Sequence, residues 1–302
     1  MRLANLAGRL TLVTTSPEDG GLLGADIETA SGGRFGPSVQ SIYEHWEEFS
    51  SWADGFAGAG GGAGGERLEP APLDVSALGV IAPRPPQVFA VGLNYRDHAA
   101  ESGMELPTEP LVFTKYASAF TGPTGEITLS AGNVDWEVEL VAVIAHGGRD
   151  IPAERGWEHI AGLTVGQDVS DRTTQFAAPP PQFGLGKSYA GYAPLGPVLV
   201  TVDELRSAGL DPDDLEIGCV VNGEPVQKSR TSQMVFTIPT LVEKLSAIVE
   251  LLPGDVMFTG TPAGVGVGMQ PPRFLADGDV LTTWCEGIGE MRHRFSAPAT
   301  GR

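Results

Sequence analysis

The run Trp136-Glu137-Val138-Glu139-Leu140-Val141-Ala142-Val143-Ile144 restricts the fold more than any other segment of this chain. Its aliphatic composition reads as a strand, and a strand's period of two puts Glu137 and Glu139 on one face and Val138, Leu140 and Ala142 on the other. Neighbouring carboxylates repel, so a strand that carries two of them into an apolar run has a reason to hold a divalent cation. The alternative is an exposed strand with an acidic outer face, the usual setting of charged residues.

A chain of 302 residues with 41% hydrophobic content can bury a large core, as one large domain or as one large and one small. No stretch approaches the roughly 18–20 uninterrupted apolar residues of a membrane span, and the N-terminus lacks the apolar block of a signal peptide. A cytoplasmic protein is expected. Cys219 and Cys285 are far apart in sequence, which suits two small buried side chains better than a disulfide framework or a zinc site. The formal charge of −19, from 38 acidic and 19 basic residues, argues against nucleic acid or an anionic membrane as partner. The same field repels a small anionic substrate, so a site for a carboxylate must supply its own cations. Lysine is scarce: Lys115, Lys187, Lys228 and Lys244 are the only four.

Along the chain, residues 1 to about 50 alternate weakly between Gly-rich turns, as short antiparallel strands do, with a possible helix from Ser41 to Trp52 that puts Ile42, Trp46 and Phe49 on one face. The Gly-rich stretch Gly55–Gly65 reads as a linker or loop, which places a small β-rich unit at 1–70 and the larger unit at 71–302. Strands are expected at 88–93, 111–113, 126–129, 136–145, 197–202, 215–221, 255–259 and 279–284. Asn94 is the expected N-cap of a helix reaching Glu101, with Asp97 in the capping-box position. A second helix follows Pro239, with Leu241, Leu245, Ile248 and Leu252 on one stripe ended by Pro253-Gly254. The expected class is α+β, mainly β: a mixed, largely antiparallel sheet with helices packed outside it. Gly264-Val-Gly-Val-Gly268 lacks the helix and downstream acid of a dinucleotide site.

Several residues carry chemistry. Asp168 ends an apolar run and could complete a three-carboxylate site with Glu137 and Glu139, a hard-oxygen set suited to Mg²⁺ or Mn²⁺; alternatively Asp168 and Asp171 cap the next turn. His98 and Glu101, three apart on a helix face, have the form of a base and the carboxylate that orients it. Lys187 lies in a Gly-rich loop that lets the backbone approach a ligand. Thr259-Gly-Thr261-Pro262 could offer a hydroxyl and N–H groups to a substrate carboxylate, or could be a tight turn.

In order along the chain, Gly92-Leu-Asn-Tyr95-Arg-Asp-His98-Ala-Ala-Glu101, Asp135-Trp-Glu137-Val-Glu139-Leu, Asp168-Val-Ser-Asp-Arg172-Thr-Thr-Gln175, Lys187-Ser and Pro253-Gly-Asp-Val-Met-Phe-Thr-Gly-Thr261-Pro resemble the motifs of the fumarylacetoacetate hydrolase family, in a bacterial-type member with a small N-terminal domain. The resemblance spans about 85–295. It implies a mixed β-roll, usually homodimeric, with Mg²⁺ or Mn²⁺ held by Glu137, Glu139 and Asp168. It further implies His98 oriented by Glu101 to take a proton from water, Lys187 stabilising a metal-bound enolate, and Tyr95, Arg172, Gln175 and Thr261 around the substrate. The implied reaction is hydrolytic C–C cleavage of a 2,4-dioxo acid of acylpyruvate or fumarylpyruvate type. The alternatives on the same site are decarboxylation of a 2-oxo diacid or isomerisation of a 2-hydroxy-dienoate. Gln167 stands where the family commonly has Asn.

Overall fold

The computed structural model describes residues 1–16, 21–58 and 70–298. The Gly-rich stretch expected as a linker lies mostly outside them. Three sheets organise the described chain. The largest has twelve strands and runs, in spatial order, Ala71–Pro72, Leu22–Asp26, Arg9–Thr15, Arg2–Leu6, Ala193–Val200, Ile160–Gln167, Val138–Ile144, Val256–Phe258, Val88–Gly92 and Leu111–Phe113, with Leu78–Gly79 and Phe120–Thr121 paired off this path. A five-stranded sheet runs Glu224–Arg230, Glu216–Val221, Val280–Cys285, Gly289–Ser296 and Thr124–Thr128. A short ladder joins Val134–Asp135 to Ser170–Asp171. Three of the pairings are parallel and the others antiparallel, so the fold is the mixed, sheet-dominated α+β arrangement expected.

Val138–Ile144 is buried at every position because it is a central strand, paired with Ile160–Gln167 on one side and Val256–Phe258 on the other. The period of two still operates. Val138, Leu140, Ala142 and Ile144 enter one hydrophobic cluster, and Val141 and Val143 enter a second on the opposite face. A sheet covered on both faces reads as a continuous apolar run, as this one does.

The second cluster is completed by the N-terminal residues. Ser41–His45 forms a 3₁₀ turn leading into the helix Trp46–Gly58, and Ile42, Trp46 and Phe49 are buried as their spacing suggested. Leu3, Leu10 and Ile27 share that cluster with Val141, Val256 and Phe258. The N-terminal strands therefore continue the main sheet, through Arg2↔Val200 and Leu3↔Leu199, rather than closing on themselves.

Two helices depart from expectation. The first covers only Arg96–Glu101, with Tyr95 at its N-cap. Asn94 instead spends its side chain on distant backbone, donating to the Phe236 and Thr259 carbonyls and accepting from Phe236 N–H. Asp97 accepts from the Ser229 hydroxyl at 2.7 Å. The second helix covers Ile238–Ser246, capped by Thr237, and stops short of the expected stripe. Ile248 is 78% exposed, and Leu251 rather than Leu252 turns inward, bridging to Gly148. No described helix is long and apolar enough to cross a membrane.

Candidate active site and metal centre

The ends of two adjacent strands bring the acids together. Glu137 and Glu139 sit at the start of the strand Val138–Ile144, and Asp168 follows the end of its antiparallel neighbour Ile160–Gln167. The register pairs Val138 with Gln167, and Asp168 N–H donates to the Glu137 carbonyl at 2.9 Å. One carboxylate oxygen from each of Glu137, Glu139 and Asp168 lies within 4.8 Å of the others, and all three residues are buried. Asp171 takes the capping role, accepting from Thr174 N–H at 3.0 Å. The two aspartates thus divide the alternatives between them.

Cations surround this cluster. Lys187 Nζ lies 2.7 Å from Glu137 and 2.6 Å from Asp168. Lys187 follows the short helix Phe183–Gly186, and a side chain at Gly186 would meet the Gln175 backbone nitrogen at 2.9 Å, so glycine there permits the close approach of the two turns. Arg172 reaches both Glu137 and Asp135 at 2.7 Å, and its Nη1 donates to Gln175 at 2.9 Å. Glu139 has no ion-pair partner of its own among the described residues. It accepts from Gly260 N–H at 2.7 Å, where a φ of +99° makes glycine the fitting residue.

The electrostatics follow from this asymmetry. Burial pushes the Glu139 carboxyl well above its ordinary range, and the charges of Asp168 and Glu137 push it further. For Glu137 burial acts upward too, but Lys187 and Arg172 overcome it and hold the group below its ordinary value. Lys187 is lowered by burial and raised more strongly by Asp168 and Glu137, for a net rise. A divalent ion among these oxygens would relieve the crowding at Glu139, and three hard donors of this type suit Mg²⁺ or Mn²⁺. The residues fit such an ion.

A cavity of about 270 Å³ opens onto the cluster, lined by Glu137, Glu139, Lys187, Arg172, Gln175 and Thr261 among others. His98 lines it too, and its Nδ1 is 3.3 Å from Glu101 Oε2, whose other oxygen accepts from Gly264 N–H. Their side chains are 15% and 23% exposed, more than the Glu137 side chain at 9%. Tyr95 does not line the cavity: its ring lies in the core, and its hydroxyl has no hydrogen-bond partner among the described residues.

Sequence reasoning passed over four positioning residues. Lys115 is buried, pairs with Asp168 at 2.6 Å and donates to the Lys187 carbonyl. Asp135 holds Arg172 and accepts from Gly266 and Val267 N–H. Gln167 accepts from Glu137 N–H at 2.9 Å, and Gln227 accepts from Val138 N–H while donating to the Thr261 hydroxyl. Lysine scarcity, the argument applied to Lys187, pointed equally to Lys115.

A cavity beside a buried acidic triad, lined by two cations and the His98 of a His-Glu pair, has the donors to hold a divalent ion and the charges to receive a small acid. The chain belongs to the fumarylacetoacetate hydrolase family: the model of that family's C-terminal domain matches residues 87–296. The bovine (Bos taurus) mitochondrial oxaloacetate tautomerase FAHD2A is 45% identical over 221 residues, covering 72% of this chain and 69% of that one. A Mycobacterium smegmatis crystal structure provisionally called HpcE superposes with a TM-score of 0.87 at 52% identity, covering 98% of this chain and 99% of the other. Maleylpyruvate hydrolase from Sphingobium sp. SYK-6, solved with manganese(II) and pyruvate, superposes with a TM-score of 0.75 at 27% identity, covering 98% and 99%.

Proposed function

We propose that this chain is a divalent-metal-dependent hydrolase that cleaves the C–C bond of a 2,4-dioxo acid. The observation that supports the reading is a buried triad of carboxylates beside a cavity that Glu137, Glu139, Lys187 and His98 line, with Glu101 behind His98. Glu137, Glu139 and Asp168 would hold Mg²⁺ or Mn²⁺, which would supply Lewis-acid polarisation of the substrate. Arg172, Gln175 and Thr261 orient the substrate carboxylate. His98 takes a proton from water, and Glu101 fixes the imidazole tautomer and stabilises the imidazolium that forms. The water oxygen attacks the carbonyl at C4, and the bond between C3 and C4 breaks with its electron pair passing to C3. Lys187 places its ammonium charge where the resulting enolate charge develops. Protonation at C3 yields pyruvate and a carboxylic acid, which balances the addition of one water.

A second reading is supported by the 45% identical tautomerase: keto–enol interconversion of a 2-oxo diacid on the same centre. The two part on water, since proton transfer at C3 can proceed without the His98–Glu101 pair. The test follows diketo and enol absorbance across acylpyruvates, fumarylpyruvate and oxaloacetate with Mg²⁺, Mn²⁺ or EDTA, in wild type and His98→Ala. Hydrolysis is expected to need metal and to fall by about 10²–10⁴-fold in His98→Ala. Unimpaired dioxo-acid cleavage in that variant would reject the hydrolytic mechanism, and tautomerisation without cleavage would establish the second reading.

A further inference from the structure

The cavity is divided by polarity. Glu137, Glu139, Arg172 and Lys187 line its charged part, and Lys187 Nζ lies 5.2 Å from the centroid of the Phe113 ring, where that part meets the apolar wall. Phe113 and Phe183 pack edge to face, 5.4 Å apart, and continue that wall. Outward from them, Met104, Leu111, Phe176 and Val267 line the mouth while remaining 59%, 53%, 52% and 39% exposed. Large apolar side chains gathered at one opening of a water-exposed surface mark a binding site rather than chance exposure.

Among the described residues lining the cavity, Arg172 and Lys187 already have acidic partners, Arg172 with Asp135 and Glu137 and Lys187 with Glu137 and Asp168, and the His98 ring lies against Glu101. The next residue after Met104 is a further acid, Glu105, whereas Glu109 is neutralised by Lys244 at 2.8 Å. A carboxylate brought to the mouth, beyond Lys187 and among Met104, Leu111 and Phe176, would lose hydration with no cationic side chain among the described lining residues there to replace it. An alkyl or aryl group there gains by leaving water.

We propose that the substrate carries an apolar acyl or aryl tail beyond its 2-oxo acid head, so that the chain prefers monocarboxylic acylpyruvates to dicarboxylic substrates. The inference rests on the reaction proposed above and narrows its substrate class. The cavity, at about 270 Å³, lies just below the roughly 300–1,000 Å³ range of ligand pockets, which limits the tail to a few carbons or one ring.

The experiment measures kcat/KM with Mg²⁺ at fixed ionic strength for acetyl-, butyryl-, hexanoyl- and benzoylpyruvate against fumarylpyruvate and oxaloacetate. Each added methylene that reaches the wall is expected to raise kcat/KM about fourfold until the cavity is filled, and the best acylpyruvate should exceed both diacids by tenfold or more. Phe176→Ala should flatten the chain-length series by raising KM for the longer tails, and Leu111→Arg should shift the preference towards fumarylpyruvate. A flat series, or a diacid preferred by wild type, overturns the proposal. Calorimetric binding of phenylpyruvate against 2-oxoglutarate tests the tail preference without turnover. If no dioxo acid is cleaved, the reaction assignment fails by itself, and tighter phenylpyruvate binding still supports the apolar wall while tighter 2-oxoglutarate binding rejects it.

Discussion

Glu139 and Lys115 are fully buried ionisable side chains with opposite surroundings. Glu139 sits among like charges, and what works against the rise in its pKa is Lys187 and the Gly260 N–H. An amide keeps an acceptor for Gly260 and removes the charge. Glu139→Gln is therefore expected to leave the metal-free protein more stable, by about 1–2 kcal/mol, while removing most of the stabilisation that a bound ion confers. Thermal denaturation with EDTA and with Mn²⁺ checks this: Mn²⁺ should raise Tm in wild type and hardly at all in the variant. A lower Tm for Glu139→Gln in EDTA would contradict it. Lys115 is the reverse case, since burial lowers its pKa while Asp168 raises it, and its ammonium joins Asp168 to the Lys187 backbone. Lys115→Met removes one of the two ammonium partners of the buried Asp168 carboxylate and leaves the Lys187 carbonyl without that donor. Breaking such a pair costs about 3–5 kcal/mol, read by urea denaturation, and Lys115→Arg should not restore it because the planar fork is longer and shaped differently.

At the scale of elements, what the sequence made legible was local. The spacing of Glu137 and Glu139 predicted a shared face, and most expected strands fell within two residues of those observed because alternation and apolar runs are short-range signals, whereas the strand expected at 197–202 is Ala193–Val200 and the polar strands Glu224–Arg230 and Gly289–Ser296 were not foreseen. What covers each face depends on pairing partners far along the chain, so the burial of Val138–Ile144 between Ile160–Gln167 and Val256–Phe258 was not written in the segment. Asn94 shows the same limit: an Asn before a helix reads as a cap, whereas its bonds to Phe236 and Thr259 exist only once the chain has folded. Asp255, at the start of the strand Val256–Phe258, gives this scale its own prediction. It accepts from Gln87 N–H, the Gln87 amide and Leu252 N–H, yet burial still raises its pKa to about 6. Because the folded form holds its proton more tightly than the unfolded one, Asp255 favours folding least above pH 6. Its contribution to stability falls as pH rises from about 4 to 6, by on the order of 2 kcal/mol. The difference in unfolding free energy between wild type and Asp255→Asn should shift against wild type across that window and stay level above it; no shift between pH 4 and 6 would show that the three donors cancel the effect of burial.

Across the whole molecule, the net charge of −19 sets the field that any acid must cross to reach the cavity. The cations near the site are held by carboxylates, so they offset this field only over a short range. Coulomb repulsion scales with the charge of the incoming substrate, and salt shortens its reach to about 8 Å at 0.15 M ionic strength. Oxaloacetate or fumarylpyruvate, as dianions, should therefore gain more in kcat/KM than acetylpyruvate when ionic strength rises from about 20 to 150 mM at constant free metal, by roughly two- to tenfold against a smaller change for the monoanion. The ratio of the two slopes isolates the protein's field, because any effect of salt on metal affinity is common to both substrates. Equal slopes would mean that Arg172 and Lys187 govern approach as well as binding. A fall in kcat/KM for the dianions would mean that these cations attract at a distance, despite the acids that hold them.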